Sequence, residues 1–298
     1  MIGIQGSQRV AIRRFPGDKR AMTHDTYDRP VSGMPRPDGV PLVLGLAAGY
    51  HAGDVRPFLR SLGAVGFAGE CVLFVSPTTR GTDEMQRLGA RIVPFERPAA
   101  MAHVPCNAWR YFLYLDFLRA ESARHERILL TDVRDVIFQR DPFALSWENG
   151  LHVMLEDARM RVADCAYMVR WTLGHLGRGA LAAMADRPIS CSGTTFGDRE
   201  SVLAYLERLT ARLLPFAPGP GMAGFDQAVH NYLLHTGGLP GANLHENGRV
   251  VLTLGYVEGE PKTDADGAVL AADGRPVPMV HQYDRKPALF RQIRERWG

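Results

Sequence analysis

Residues 126–143, ERILLTDVRDVIFQRDPF, constrain the fold more than any other stretch of the chain. The short apolar run at 128–130 follows a charged segment and has the length and composition of a strand buried in an open sheet. It ends in a crowd of polar groups: Thr131, Asp132, Arg134 and Asp135. A second apolar triplet, 136–138, follows, and Asp141-Pro142-Phe143 turns the chain. Open α/β sheets bind their ligands outside the carboxyl ends of such strands. Two carboxylates at that end suit a hard divalent cation. They serve equally as turn caps or as partners of Arg134 and Arg140, and the stretch alone does not choose.

The preceding chain repeats strand and helix patterns in alternation. LVLGLAAGY after Pro41 predicts a strand and a ligand-facing loop. Residues 51–62 predict a helix with Val55, Phe58, Leu59 and Leu62 on one face. Strands are expected at 71–75 and 91–95, with a short helix at 82–88 between them. A long helix at 107–122 then leads into the opening strand. Such βαβ alternation implies an α/β fold, a mostly parallel sheet flanked by helices. It is expected as one domain over residues 40–298.

Beyond Asp141 the alternation loosens. A strand at 151–155 ends in Glu156-Asp157, and CSGTTF at 191–196 is a strand of small residues. Asp198 or Ser201 then caps a helix running to about residue 214. Residues 215–224 are too rich in Gly and Pro for regular structure. The helix GFDQAVHNYLLH follows, with Phe225, Val229, Tyr232 and Leu233 at helical spacing. Residues 264–274 resemble a hairpin and lack the ligand spacing of an EF-hand loop. A strand-like MVHQY and a basic amphipathic helix close the chain.

Composition excludes several classes. The net charge of +3 arises within residues 1–38, which hold seven Lys/Arg against four Asp; the remainder is neutral. No basic field for a nucleic-acid backbone is therefore expected on the folded part. Residues 1–39, rich in Arg, Gly, Pro and Asp and without apolar periodicity, read as a poorly structured arm. Cys71, Cys106, Cys165 and Cys191 form no CxxC pair and read as reduced thiols. Without a signal core or a long apolar run, a soluble cytoplasmic protein with no transmembrane segment is the expectation.

Four pieces in order resemble a GT-A-type glycosyltransferase, with a Rossmann-type mixed sheet. TDVRDVIFQRDPF is similar to the Asp-x-Asp metal motif, CSGTTFGDRESVLAYLERL to the small-residue strand before a helix, and GFDQAVHNYLL to the Asp-Gln helix. HQYDRKP is similar to the closing His-to-Lys-Pro element of the retaining family that includes glycogenin and lipopolysaccharide galactosyltransferases. The resemblance covers roughly residues 41–290. It departs from the family pattern at Arg134, which takes the place of the second acid, since a guanidinium cannot ligate a cation. The closing element is also one residue shorter than usual.

The resemblance implies transfer of a sugar from a nucleotide-diphosphate sugar to a glycan, lipid or protein acceptor. Asp132, Asp135 and His281 would hold Mn²⁺ or Mg²⁺, with the imidazole favouring Mn²⁺. Arg134, Arg110 and Lys286 would meet the diphosphate, and Ala48 and Tyr50 the base and ribose. Asp226 and Gln227 would face the anomeric carbon, with Glu156 and Asp157 as further candidates for sugar hydroxyls or a base; the Asp-Gln helix leans toward retention. Each residue also has an ordinary reading: Asp226 as a helix cap, His281 bonded in a turn, Tyr50 in the core, Arg110 and Lys286 as surface charges. A sugar-phosphate nucleotidyltransferase is the second enzyme reading, although LGLAAGYHAGD lacks its basic Gly-rich loop. A non-catalytic nucleotide- or sugar-binding protein of the same fold is the third.

Overall fold

The computed structural model describes residues 39–121 and 124–298. The expected arm therefore lies outside the described residues up to position 38, and so does Ser122, the expected end of the long helix. In chain order the elements are β1 (Leu42–Leu46), α1 (Ala52–Ala64), β2 (Glu70–Val75), α2 (Thr82–Arg87), β3 (Ala90–Pro94) and α3 (Cys106–Ala120). Next come β4 (Arg127–Thr131), β5 (Val136–Phe138), β6 (Leu151–Leu155), α4 (Ala166–His175), α5 (Arg178–Met184) and β7 (Ser190–Asp198). The last are α6 (Arg199–Leu213), α7 (Phe225–His235), β8 (Asn243–His245), β9 (Val251–Thr253), β10 (Met279–His281) and α8 (Pro287–Trp297).

Seven strands form one sheet in the order β3-β2-β1-β4-β7-β6-β8. The first four run parallel, β7 is antiparallel to both β4 and β6, and β8 is parallel to β6. The fold is therefore α/β with a mostly parallel, mixed sheet, as the alternation predicts. A second sheet, β5-β10-β9, pairs β10 antiparallel to β5 and parallel to β9.

Strand alternation builds a core on each face of the large sheet, because successive side chains point to opposite sides. Leu42, Leu44, Ile128 and Leu130 pack with residues of α3, α6 and α7. Val43 and Leu129 pack on the other face with Val55, Phe58 and Leu59 of α1 and with Val136 and Phe138 of β5. The small sheet thus leans on the same face as α1. From β1 the chain moves out to β2 and β3, and α3 then returns it to β4 on the other side of β1. The crevice between the carboxyl ends of β1 and β4 is consequently a topological switch point, the usual ligand position in open α/β sheets.

Local signals account for most element ends. Asp198 caps α6, its Oδ1 accepting from the Ser201 amide at 2.8 Å. Pro287 begins α8, where its missing N–H costs nothing. The 264–274 segment forms isolated pairings, Thr263 with Val269 and Leu270 with Pro276, rather than a regular hairpin. All four cysteines are free, and Cys106 is only half-buried. Among the described residues no helix is long and apolar enough to cross a membrane.

Candidate functional site

Asp132 leaves the carboxyl end of β4, and Asp135 immediately precedes β5. Between them Val133 is buried and Arg134 is exposed. The turn therefore leaves the guanidinium in solvent while the two carboxylates meet. His281 ends β10, and the pairing of β10 with β5 sets it opposite Val136, next to Asp135. One ligand atom from each of Asp132, Asp135 and His281 lies within 4.8 Å of the other two.

The imidazole shows what this group suits. His281 Nε2 stands 3.3 Å from Asp132 Oδ2 and 3.9 Å from Asp135 Oδ1. It is buried and has no hydrogen-bond partner. A buried polar atom without a partner is costly, and a cation between the three side chains would satisfy it. Two carboxylate oxygens and one imidazole nitrogen fit Mn²⁺, and Mg²⁺ less well.

Electrostatics separates the two acids. Burial opposes ionisation of Asp132, but Arg110 and His281 outweigh it and hold the carboxyl well below its usual range. Burial pushes Asp135 up to about 6, with Asp132 adding to the rise and His281 opposing it. His281 is itself disfavoured as a cation by burial, yet Cys191 and the two carboxylates raise it well above its ordinary value. Metal binding would replace the imidazolium proton, as it must for any histidine ligand.

A second acid group adjoins the first through Arg110. This arginine, in the first turns of α3, is buried rather than at the surface. It forms an ion pair with Asp132 and reaches Asp226 Oδ2 at 3.3 Å. Ser192 Oγ donates to the same Asp226 oxygen at 3.2 Å, and Tyr111 Oη lies 3.4 Å from it. Asp226 Oδ1 is buried without a partner. Gly224, with no side chain to offer, is the N-cap of α7, so Asp226 is not the helix cap. Burial raises the Asp226 carboxyl despite Arg110.

Gln227, one residue on, donates its Nε2 to Glu156 Oε1 at 3.0 Å. Burial at the end of β6 pushes Glu156 up to about 7. Tyr50, in the loop after β1, has its phenol raised by burial and then by the charges of Asp132 and Asp135. Half-buried Ala48 shares that loop. Asp157 is held instead by Arg159 at 2.7 Å, which draws its carboxyl down. Lys286 is buried and its Nζ donates to the Val257 carbonyl. Among the described residues, neither Asp157 nor Lys286 forms a hydrogen bond or ion pair with Asp132, Asp135 or His281.

Several members escaped the sequence reading. A Cβ at Gly193 would fall 2.2 Å from Asp132 Oδ2, so any larger residue there would displace the carboxylate. The Asp132 amide also donates to the Gly193 carbonyl at 2.8 Å. The small-residue run CSGTTF was the available signal, since glycine in a strand often marks close approach of another group. Cys191 and Ser192 lie within that run, whereas Tyr111 carried no such signal. No known protein family matches the chain, and no curated protein matches it significantly.

Proposed function

We propose that this protein is a GT-A-type glycosyltransferase that takes a sugar from a nucleotide-diphosphate sugar. The observation that carries this reading is the meeting of Asp132, Asp135 and the bare Nε2 of His281 at the switch point of the sheet. Mn²⁺ or Mg²⁺ held there would neutralise charge on the departing diphosphate. Tyr50, in the loop after β1, feels the charges of Asp132 and Asp135, and with Ala48 of the same loop it would meet the base and ribose.

The chain's own groups fit the remaining chemistry. A sugar leaving its donor passes through an oxocarbenium-like state that carries positive charge. Asp226 has one oxygen fixed by Arg110 and Ser192 and the other without a partner. A preorganised carboxylate of this kind favours the charged state without reorganising. Arg110 joins Asp226 to Asp132, so donor-side and reaction-side charges share one guanidinium. Glu156, raised to about 7 and oriented by Gln227, can hold or release a proton near neutral pH.

The direct test is turnover of a nucleotide-sugar panel with Mn²⁺ and no acceptor, read as free nucleoside diphosphate. Slow release from one donor is the expected result. Pyrophosphate formation from a nucleoside triphosphate and a sugar phosphate, with no donor hydrolysed, would replace this reading by that of a nucleotidyltransferase.

A further inference from the structure

His281 is pinned twice by its backbone. In β10 it pairs in register with Thr253 of β9 on one side and with Val136 of β5 on the other. Backbone pairing leaves the orientation and tautomer of the imidazole open, and these decide whether the ring presents a lone pair or an N–H to the acids. Its Nδ1 edge is flanked by Cys191 Sγ at 3.6 Å and Thr253 Oγ1 at 3.4 Å. Both flanking side chains are buried, Cys191 at 2% and Thr253 at 1% exposure. Cys191 belongs to β7 of the large sheet and Thr253 to β9 of the small one. The ring is therefore gripped from both sheets on one edge, while Nε2 faces Asp132 and Asp135 without a hydrogen bond.

We propose that Thr253 and Cys191 are positioning residues that keep the remaining imidazole proton on Nδ1 of His281 and so turn the Nε2 lone pair toward a divalent cation between Asp132 and Asp135. With a cation on Nε2 the ring's one remaining proton sits on Nδ1, where Cys191 Sγ and Thr253 Oγ1 are two acceptors within reach. Outer contacts of this type fix a ligating histidine's tautomer, and their loss typically weakens metal binding about 10–100-fold. The inference rests on the metal reading of this cluster and names the groups that make it a ligand set.

The test is a calorimetric titration of the full chain with Mn²⁺ alone. Thr253→Val combined with Cys191→Ala should bind Mn²⁺ about 10–100-fold more weakly than the wild type. Thr253→Ser combined with Cys191→Ser, which keeps hydroxyl acceptors, should restore most of the affinity. Nitrogen NMR of the wild-type imidazole with Zn²⁺, as a diamagnetic substitute, reads the tautomer without any variant that has to fold. A proton on Nδ1 is expected, and one on Nε2 would overturn the inference. Unchanged Mn²⁺ affinity in the double variant would overturn it while leaving the metal reading intact. No Mn²⁺ binding by the wild type would remove both.

Discussion

The two ends of the large sheet are both crowded with charge, and they handle it in opposite ways. At the amino end, where β2, β3 and β4 begin, Glu70 meets Arg91 at 3.0 Å, Arg124 at 2.7 Å and His125 at 2.9 Å. Asp198, at the same end of antiparallel β7, accepts from the amides of Ser201 and Gly150. At the carboxyl end Asp226 Oδ1 and His281 Nε2 are buried without hydrogen bonds. There one guanidinium, that of Arg110, serves two acids. The two acids of the first end, Glu70 and Asp198, are matched within the fold, although His125 Nδ1 there is also buried without a partner. At the second end Asp226 Oδ1 and His281 Nε2 are left without hydrogen bonds beside the acids of the proposed site.

The pH dependence contributed by Glu70 and Asp198 at the amino end should therefore be opposite in sign to that contributed by Glu156 and Asp135 at the carboxyl end, where Asp132, held low by Arg110 and His281, follows the amino-end acids. Burial opposes ionisation of Glu70, but Arg91, His125 and Arg124 outweigh it, and the Ser201 and Gly150 amides do the same for Asp198. Both folded-state pKa values lie below the unfolded ones. The stability they contribute is present above the ordinary carboxylate range and is lost as pH falls through and below it. Glu156 and Asp135 are raised, to about 7 and about 6. Their folded-state contribution is greatest below the ordinary carboxylate range and is lost as pH climbs toward 6–7.

The largest expected effect is on chemistry at the partner-poor end. Asp226→Asn should reduce turnover of the donor by roughly a hundredfold or more while leaving nucleotide-sugar binding nearly normal, because the proposed transferase reading sets it against charge that appears only in the transition state. Single-turnover kinetics alongside donor calorimetry separate the two quantities. Near-normal transfer would assign Asp226 to packing.

Next comes a gain of stability from damaging the site. Glu156→Gln should stabilise the metal-free protein at pH 7 by on the order of 2 kcal/mol, since it removes a buried group that must ionise. The gain should fade at about pH 4.5, where Glu156 is protonated in the fold. Chemical denaturation at both values checks it, and a loss at pH 7 would mean that the carboxylate is well accommodated.

The smallest effect belongs to the matched end. Glu70→Gln should cost about 1 kcal/mol at pH 7, limited by solvent screening of its arginine partners. Its Mn²⁺ affinity should equal that of the wild type. A shift in that affinity would show that the two ends are coupled.

The sequence carried the sheet and the acids better than their partners. The runs at 42–46, 71–75 and 128–130 are short, apolar and buried, and each became a strand because hydrophobic length and flanking turns are local signals. α4 and α5 were not foreseen. They have ten and seven residues, and Gly174 and Gly177 interrupt the helical pattern. β8 and β9 have only three residues each and exist through pairing with distant strands. Asp132 and Asp135 were legible in the 126–143 stretch itself, and His281 only through the family resemblance. Arg110 bridging Asp132 to Asp226 was not, because it joins three elements separated by 22 and 116 positions along the chain. Spacing cannot express a contact of that kind.

The central claim is that the carboxyl-end cluster is a divalent-cation site serving a diphosphate. It is tested most directly by calorimetric titration of nucleoside diphosphates, once with Mn²⁺ and once with excess chelator. At least one diphosphate should bind clearly more tightly with Mn²⁺, and Asp132→Asn should abolish the difference. Equal affinity with and without the metal, or an Asp132→Asn protein that keeps the full Mn²⁺ enhancement, would contradict the account.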